Sequence, residues 1–256
     1  MWRRAWICGG WRVVNLEWVC EESSQESLSS VVMEVELREN KVDMAQDDIR
    51  IVYADEAIAV VEKPTRLLSV PGRGEHKKDC VIARVRERLA YATGPMVVHR
   101  LDYETTGLIV VALTPASQVN LSMQFEDRLV DKAYAALLGG IVPNDEGLIR
   151  MNIRVDWDNR PKQIVCDEHG RDSVTRYRVM SREIDRTRIL FLPVTGRSHQ
   201  LRVHAAFVQG LGMPILGDPL YGDATSASTL CLHASMISFT HPVTRERMVF
   251  TSVPNF

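Results

Sequence analysis

The chain has few cysteines and no long apolar run. Its five cysteines, at 8, 20, 80, 166 and 231, are widely spaced and form no CxxC pair. That spacing fits neither a zinc knuckle nor a disulfide framework, and a reducing compartment is the expectation. No apolar stretch approaches the roughly 20 residues a membrane-spanning helix needs, so no membrane partner is expected. There is no GxxxxGK[ST] phosphate loop, no HExxH and no GxSxG elbow. His199 and His204 are five apart rather than four, which argues against a zinc hydrolase. GLGMPILG fails as a dinucleotide loop, because Ile215 stands at the third glycine position and the segment follows a predicted helix. Strong charge is also missing: the net charge is -2 over 256 residues.

That small number hides a division. Residues 1–50 hold six Lys/Arg against ten Asp/Glu, whereas residues 145–204 hold twelve against nine. The second bias is compatible with an RNA surface but too weak to argue for one. Residues 1–22 carry Arg3, Arg4 and Arg12 with no acid before Glu17, but four Trp where a transit peptide is usually Ser-rich. They read as an organellar transit peptide or as upstream sequence, with translation beginning at Met44. Residues 21–49 are acidic, Ser-rich and aperiodic, and read as a linker or tail. The expected organisation is an N-terminal extension over 1–49 and one folded domain over 50–256. The expected setting is cytoplasmic, or a mitochondrion or plastid if residues 1–22 are a transit peptide. A monomer is expected.

Within the domain, IVYADEAIAVVEKP reads as two short strands around Asp55 and Glu56, ended by Pro64. LLSVPGRG reads as a loop. Cys80 to Ala90 reads as an amphipathic helix with Val81, Val85 and Leu89 inward and Arg84, Arg86 and Arg88 mostly outward. Thr114-Pro115 is a helix start, and Val119, Met123 and Phe125 are expected inward. Lys132 to Gly139 reads as a buried strand, and DWDNRPK (156–162) as a polar, basic loop. Ser173 to Met180 and Thr187 to Val194 are further strands. Ser198 is expected to cap a helix whose apolar stripe is Leu201, Ala205 and Val208, with Arg202 at the edge of that stripe. His199 lies on the same side as Arg202, and Gly210 and Gly212 end the helix. The tail reads as two strands around His241-Pro242. Hairpins dominate after residue 130, so the fold expected is α+β, with a mixed, mainly antiparallel sheet and flanking helices.

The stretch Val97 to Leu113, VVHRLDYETTGLIVVAL, has a polar knot between two apolar runs. It reads as two strands joined by a loop with Asp102 in a turn, or as a carboxylate raised on a loop in a cleft. Three segments carry a resemblance: HRLDYETTG (99–107), GRSHQLRVH (196–204) and PILGDPLYG (214–222). Together they resemble the RluA-type family of pseudouridine synthases, whose motifs are HRLDxxTSG, GRxHQLRVH and PILGDxLYG. Thr106 stands for Ser in the first motif; the second is intact. LLSVPGR (67–73) and DWDNRPKQ (156–163) resemble the RluA subgroup, which acts on both tRNA and 23S-type rRNA. The likeness covers residues 50 to 256, and no S4-type RNA module of the kind some relatives carry is expected.

The resemblance implies the pseudouridine synthase fold with Asp102 in a central basic cleft. It implies conversion of uridine to pseudouridine in a tRNA anticodon stem-loop, a large-subunit rRNA hairpin, or both. It implies no cofactor and no metal, because the reaction includes neither a redox nor a phosphoryl step. Asp102 would be the catalytic carboxylate, acting either as nucleophile at C1′ or as base at C2′. Arg202 would pair with Asp102 and keep it ionised. Tyr134 would stack on the uracil and help remove the C5 proton. Arg100 would enter the RNA loop from which the target nucleotide is flipped. Arg160, Lys162, Arg197 and His199 would contact the RNA. The readings set against this are a catalytically idle RNA-binding or RNA-chaperone protein with the same fold, and a hydrolase using Asp102 as nucleophile.

Overall fold

The computed structural model describes residues 48–94 and 96–256. The expected transit peptide and most of the expected linker therefore lie outside the described residues. The first residues described are already packed: Ile49 is buried, and Asp48 meets the guanidinium groups of Arg84 and Arg88.

The strands are β1 (Arg50–Ala54), β2 (Ile58–Lys63), β3 (Thr106–Ala112), β4 (Asp131–Gly139), β5 (Glu146–Val155) and β6 (Gln163–Val165). Four more follow: β7 (Arg171–Arg182), β8 (Arg186–Pro193), β9 (Leu232–Thr240) and β10 (Arg247–Thr251). Among the described residues three α-helices flank them: α1 (Val81–Arg88), α2 (Pro115–Glu126) and α3 (Gln200–Ala206). The strands form one sheet in the order β1-β2-β3-β9-β4-β8-β7-β5-β6, with β10 paired to β9. Among the described residues β3–β9 is parallel and the other pairings are antiparallel. The fold is α+β with a mixed, mainly antiparallel sheet. No helix among the described residues is long and apolar enough to cross a membrane.

The run Leu108–Leu113 is apolar without alternation because both of its faces are covered. Ile109, Val111 and Leu113 pack with Val81, Ile82 and Val85 of α1. Leu108, Val110 and Ala112 face the other way, onto Leu121 of α2 and Phe239 of β9. β2 alternates in the same manner, Ala59 and Val61 joining the first cluster and Ile58 and Val60 the second. A third cluster joins β4, β5, β7 and β8 to α3 through Leu138, Ile149, Tyr177, Phe191 and Val203. Burial of each such aliphatic side chain stabilises the fold by about 1.5–3 kcal/mol.

Gly107 stands where β3 begins, at φ 103 and opposite Ala234 across the parallel pairing. A Cβ there would lie 2.7 Å from the Ala234 nitrogen, so this position needs glycine on both sterics and backbone.

Three local expectations need correction. Val97 and Val98 are not a strand; the chain from Met96 to Thr105 is a loop. On α2, Val119 and Met123 are exposed, and the buried residues are Ser117, Leu121 and Gln124. Gln124 is inward because its amide bonds both the N–H and the C=O of Thr240, where β9 ends. The third correction concerns α3. It is capped by His199 in the left-handed region rather than by Ser198, and it ends at Ala206, which leaves Val208 exposed. Leu201 and Ala205 are buried as expected.

Candidate active site

Asp102 sits on the loop between α1 and β3, and that loop is tied down from beneath. The buried ammonium of Lys63 donates to the carbonyls of Pro64, Leu67 and Tyr103 at 2.9, 2.8 and 3.1 Å. Burial pushes the Lys63 pKa down to about 7, and the nearby charges of Asp102 and Glu104 oppose that fall. Ser69 donates to the Leu101 carbonyl and accepts from the Leu101 N–H, at 2.7 and 3.0 Å. Thr65 reaches the Glu104 carbonyl, and Thr105 N–H closes a turn on the Asp102 carbonyl. His99 fixes the other end, its Nε2 accepting from Val110 N–H at 3.0 Å. That bond requires an unprotonated Nε2. Burial agrees, holding His99 down to about 3, with Lys132 adding to the effect. Asp102 is thereby raised into a cleft of about 610 Å³, its side chain 26% exposed.

The opposite wall is α3 and the turn before it. Gln200 locks that turn to β7, accepting from Arg197 N–H and Thr195 O–H while donating to Val174 O and Thr175 Oγ1. Arg202 is buried, not at the edge of a stripe. Its Nε and Nη2 meet both oxygens of Asp218 at 2.8 and 2.5 Å, and its Nη1 lies 3.8 Å from Asp102 Oδ2. The expected partnership with Asp102 is therefore the looser of two, and the tight partner is Asp218. Burial opposes the Arg202 charge, but Asp218 outweighs it and raises the pKa. Asp218 Oδ1 also accepts from Leu220 and Tyr221 N–H, which fixes the loop behind the guanidinium.

His199 bridges Tyr221 and Asp102. Its Nδ1 is 2.8 Å from Tyr221 Oη, and its Nε2 is 4.0 Å from Asp102 Oδ1. The Tyr221 oxygen already accepts from Gln163 N–H at 2.7 Å, so its own proton is free to go to Nδ1. Burial lowers the His199 pKa, with Asp102 opposing. A neutral ring with its proton on Nε2, facing Asp102, satisfies every partner. Tyr134 enters the cleft from β4; burial first, then the Asp102 charge, raises its pKa and keeps the phenol protonated.

The structure thus brings Asp102, Arg202, Tyr134, Arg100, Arg197 and His199 to one cleft. Arg160 and Lys162 are elsewhere, on the β5–β6 loop. Arg160 stacks on exposed Trp157 at 4.1 Å, and Lys162 lines a neighbouring groove beside Tyr221. Among the described residues five Lys/Arg line the Asp102 cleft against two carboxylates, Asp102 and Glu126. Asp218 cancels one of those cations from behind, and the remaining balance still favours a polyanion. Sequence reasoning missed Asp218, Gln200, Tyr221 and Lys63. The first three lie inside quoted motifs, which was the available signal. Lys63 had only its place before Pro64.

A mixed, mainly antiparallel sheet carrying a cationic cleft, with a raised carboxylate and a tyrosine lining it, is an arrangement suited to chemistry on a polyanion such as RNA. The model of a family described as RNA pseudouridylate synthase matches residues 57–207. The chain is 47% identical over 196 residues to the dual-specificity RNA pseudouridine synthase RluA of Yersinia pestis, covering 75% of this chain and 92% of that protein. The protein of that name in Escherichia coli K12 is 45% identical over 210 residues, covering 80% and 93%. Among solved structures, human RNA pseudouridylate synthase domain containing 1 superposes with a TM-score of 0.67 at 26% identity, covering 84% of this chain and 87% of that one. The chain belongs to the RluA-type pseudouridine synthases, isomerases that form pseudouridine in RNA.

Proposed function

We propose that this chain isomerises particular uridines in a tRNA anticodon stem-loop and in a large-subunit rRNA hairpin of similar loop, with Asp102 as the reacting carboxylate. The observation that carries the role of Asp102 is its position, raised on a braced loop into the cleft with Arg202 Nη1 3.8 Å away. A uridine stacked in a helix hides its C1′, so the nucleotide must be everted to meet that carboxylate. Arg100, exposed at the rim, is suited to take the space the base leaves. The N1–C1′ bond then breaks, the uracil rotates, and a C5–C1′ bond forms. One proton leaves C5 and one arrives at N1, so the composition is unchanged. Addition of Asp102 to C1′ and removal of the C2′ proton are both within reach of a carboxylate placed beside the sugar.

Arg202 acts as a positioning residue in this scheme. Asp218 holds its fork, and its remaining Nη1 steadies the Asp102 carboxylate without closing on it. Tyr134 presents its ring to the uracil. A protonated phenol accepts the C5 proton only while passing on its own, so its part is a relay. Arg197 and His199 shape the cleft, whereas Arg160 and Lys162 serve RNA backbone outside it. The two-RNA substrate range rests on the RluA relatives, which are named dual-specificity enzymes. Action as a monomer is part of this proposal. The setting proposed is cytoplasmic, or an organelle if residues 1–22 direct the chain there.

The test is tritium release from tRNA and from large-subunit rRNA labelled at uridine C5, followed by mapping of the new pseudouridines. Release from both RNAs, at loops of related sequence, is the expected result. Release from neither overturns the proposal, and free uracil in the products would mark a hydrolase instead.

A further inference from the structure

Lys132 occupies the same cleft as Asp102, two residues from Tyr134 on β4, and the scheme above does not use it. Its ammonium stands 5.7 Å over the Phe125 ring. That ring is in turn stacked on neutral His99 at 4.5 Å. A Cβ built on Gly196 would lie 3.9 Å from Lys132 Nζ, so the turn before α3 closes the other side. Among the described residues no hydrogen bond or ion pair reaches this nitrogen. Its neighbour Asp131 is engaged by Arg247, and Glu126 lines the cleft without pairing to it. Burial accordingly lowers the Lys132 pKa.

A half-buried ammonium without an anion carries a desolvation cost, which a ligand anion placed beside it would offset. The ligand of this cleft is RNA, whose anionic groups are its phosphates. Residues i and i+2 of a strand share a face and stand about 7 Å apart. A uracil lying on Tyr134 would therefore leave Lys132 clear of the base and beside the backbone that carries it. Arg128 and Arg100 line the same cleft and add to its positive charge. We propose that Lys132 binds a backbone phosphate next to the everted uridine, so that the substrate itself neutralises this charge. The inference rests on the RNA-modifying reading of the cleft, but it concerns binding rather than bond making.

The experiment measures binding of an anticodon stem-loop that the wild-type enzyme modifies. It uses full-length protein carrying Asp102→Asn, so that no turnover occurs, with and without Lys132→Met or Lys132→Arg. Lys132→Met is expected to weaken binding about tenfold, on the scale of one charge-assisted hydrogen bond. It should also reduce the slope of log K against log salt by about 0.7–0.9. Lys132→Arg should restore most of both. A methylphosphonate at one phosphate flanking the target uridine should weaken binding to the Lys132 protein by a similar factor and have little further effect on Lys132→Met. The thermal midpoint of Lys132→Met should be unchanged or raised, because a desolvated charge has been removed; a lysine with a purely structural role would lower it. An unchanged salt slope, or a methylphosphonate effect additive with Lys132→Met at every flanking position, overturns the proposal. Those results would point to a contact with the base edge instead. If Asp102→Asn still forms pseudouridine, the catalytic scheme fails while the binding data still decide the role of Lys132.

Discussion

Replacing Asp218 by Asn keeps the size of the side chain and one of its acceptors but removes its charge. The carboxylate holds Arg202 through two contacts at 2.8 and 2.5 Å and also accepts from Leu220 and Tyr221 N–H. The two side chains are 3% and 1% exposed, so water cannot replace either partner. Breaking one side of such a pair costs about 3–5 kcal/mol, because a buried charge is left uncompensated. The amide retains part of the hydrogen bonding, which puts the expected loss near 3 kcal/mol. For a domain of this size that is a fall of roughly 6–12 °C in thermal midpoint. A second consequence concerns chemistry. The freed guanidinium turns to the nearest remaining carboxylate, Asp102, at 3.8 Å from Nη1. A closed Arg202–Asp102 pair withdraws the acid from the ribose. Asp218→Asn should therefore lose tritium release even at temperatures where it is fully folded. Replacing both partners with apolar residues, Asp218→Leu with Arg202→Met, should recover much of the stability and none of the activity. Thermal unfolding and tritium release, measured on the single and double variants, decide the matter. An Asp218→Asn protein within about 2 °C of wild type and fully active would refute the reasoning, as would a double variant whose loss is the sum of the singles.

Two other expectations follow from the same geometry. Tyr134→Phe preserves the ring and removes the hydroxyl, so KM should hold while kcat falls about 100-fold if the hydroxyl relays the C5 proton; equal kcat values would restrict Tyr134 to stacking. The chain should also lose stability in mild acid. His204 is fully buried, and burial lowers its pKa to about 4. Because the folded value lies below the unfolded value of about 6.5, the unfolded state binds the extra proton between them. Stability from this group is complete above pH 6.5 and declines as pH falls toward 4, by about 2 kcal/mol at pH 5. Urea unfolding at pH 7 and pH 5 measures it, and identical midpoints would contradict the burial argument.

Much of the fold was legible because its elements are local. Strands β2 and β3 announce themselves as apolar runs ended by Pro64 and Thr114. The hairpin at Asp55 is readable because the same carboxylate accepts from Ala57 and Ile58 N–H and closes the turn. The errors arose where a distant partner overrode a local pattern. Val119 and Met123 have helical spacing, but the demand of the β9 end for Gln124 turns α2 the other way. Arg202 looked like the edge of a helix stripe because its partner, Asp218, sits sixteen residues on in a different motif. A charged residue in a strand, such as Lys132, carries no local sign of whether it faces solvent or a cleft. The family likeness pointed to Asp102, Tyr134 and Arg202, which the fold brings to one cleft, whereas the bracing by Lys63 and Gln200 depends on contacts between distant segments that no local pattern announces.

The central claim is that the Asp102 carboxylate performs the chemistry while the surrounding cations and aromatic rings hold the RNA. Asp102→Asn should bind the substrate hairpin with an affinity within a few-fold of wild type, yet release no tritium in a single-turnover reaction with enzyme in excess. Release at a rate near that of wild type would contradict the account, whatever the binding.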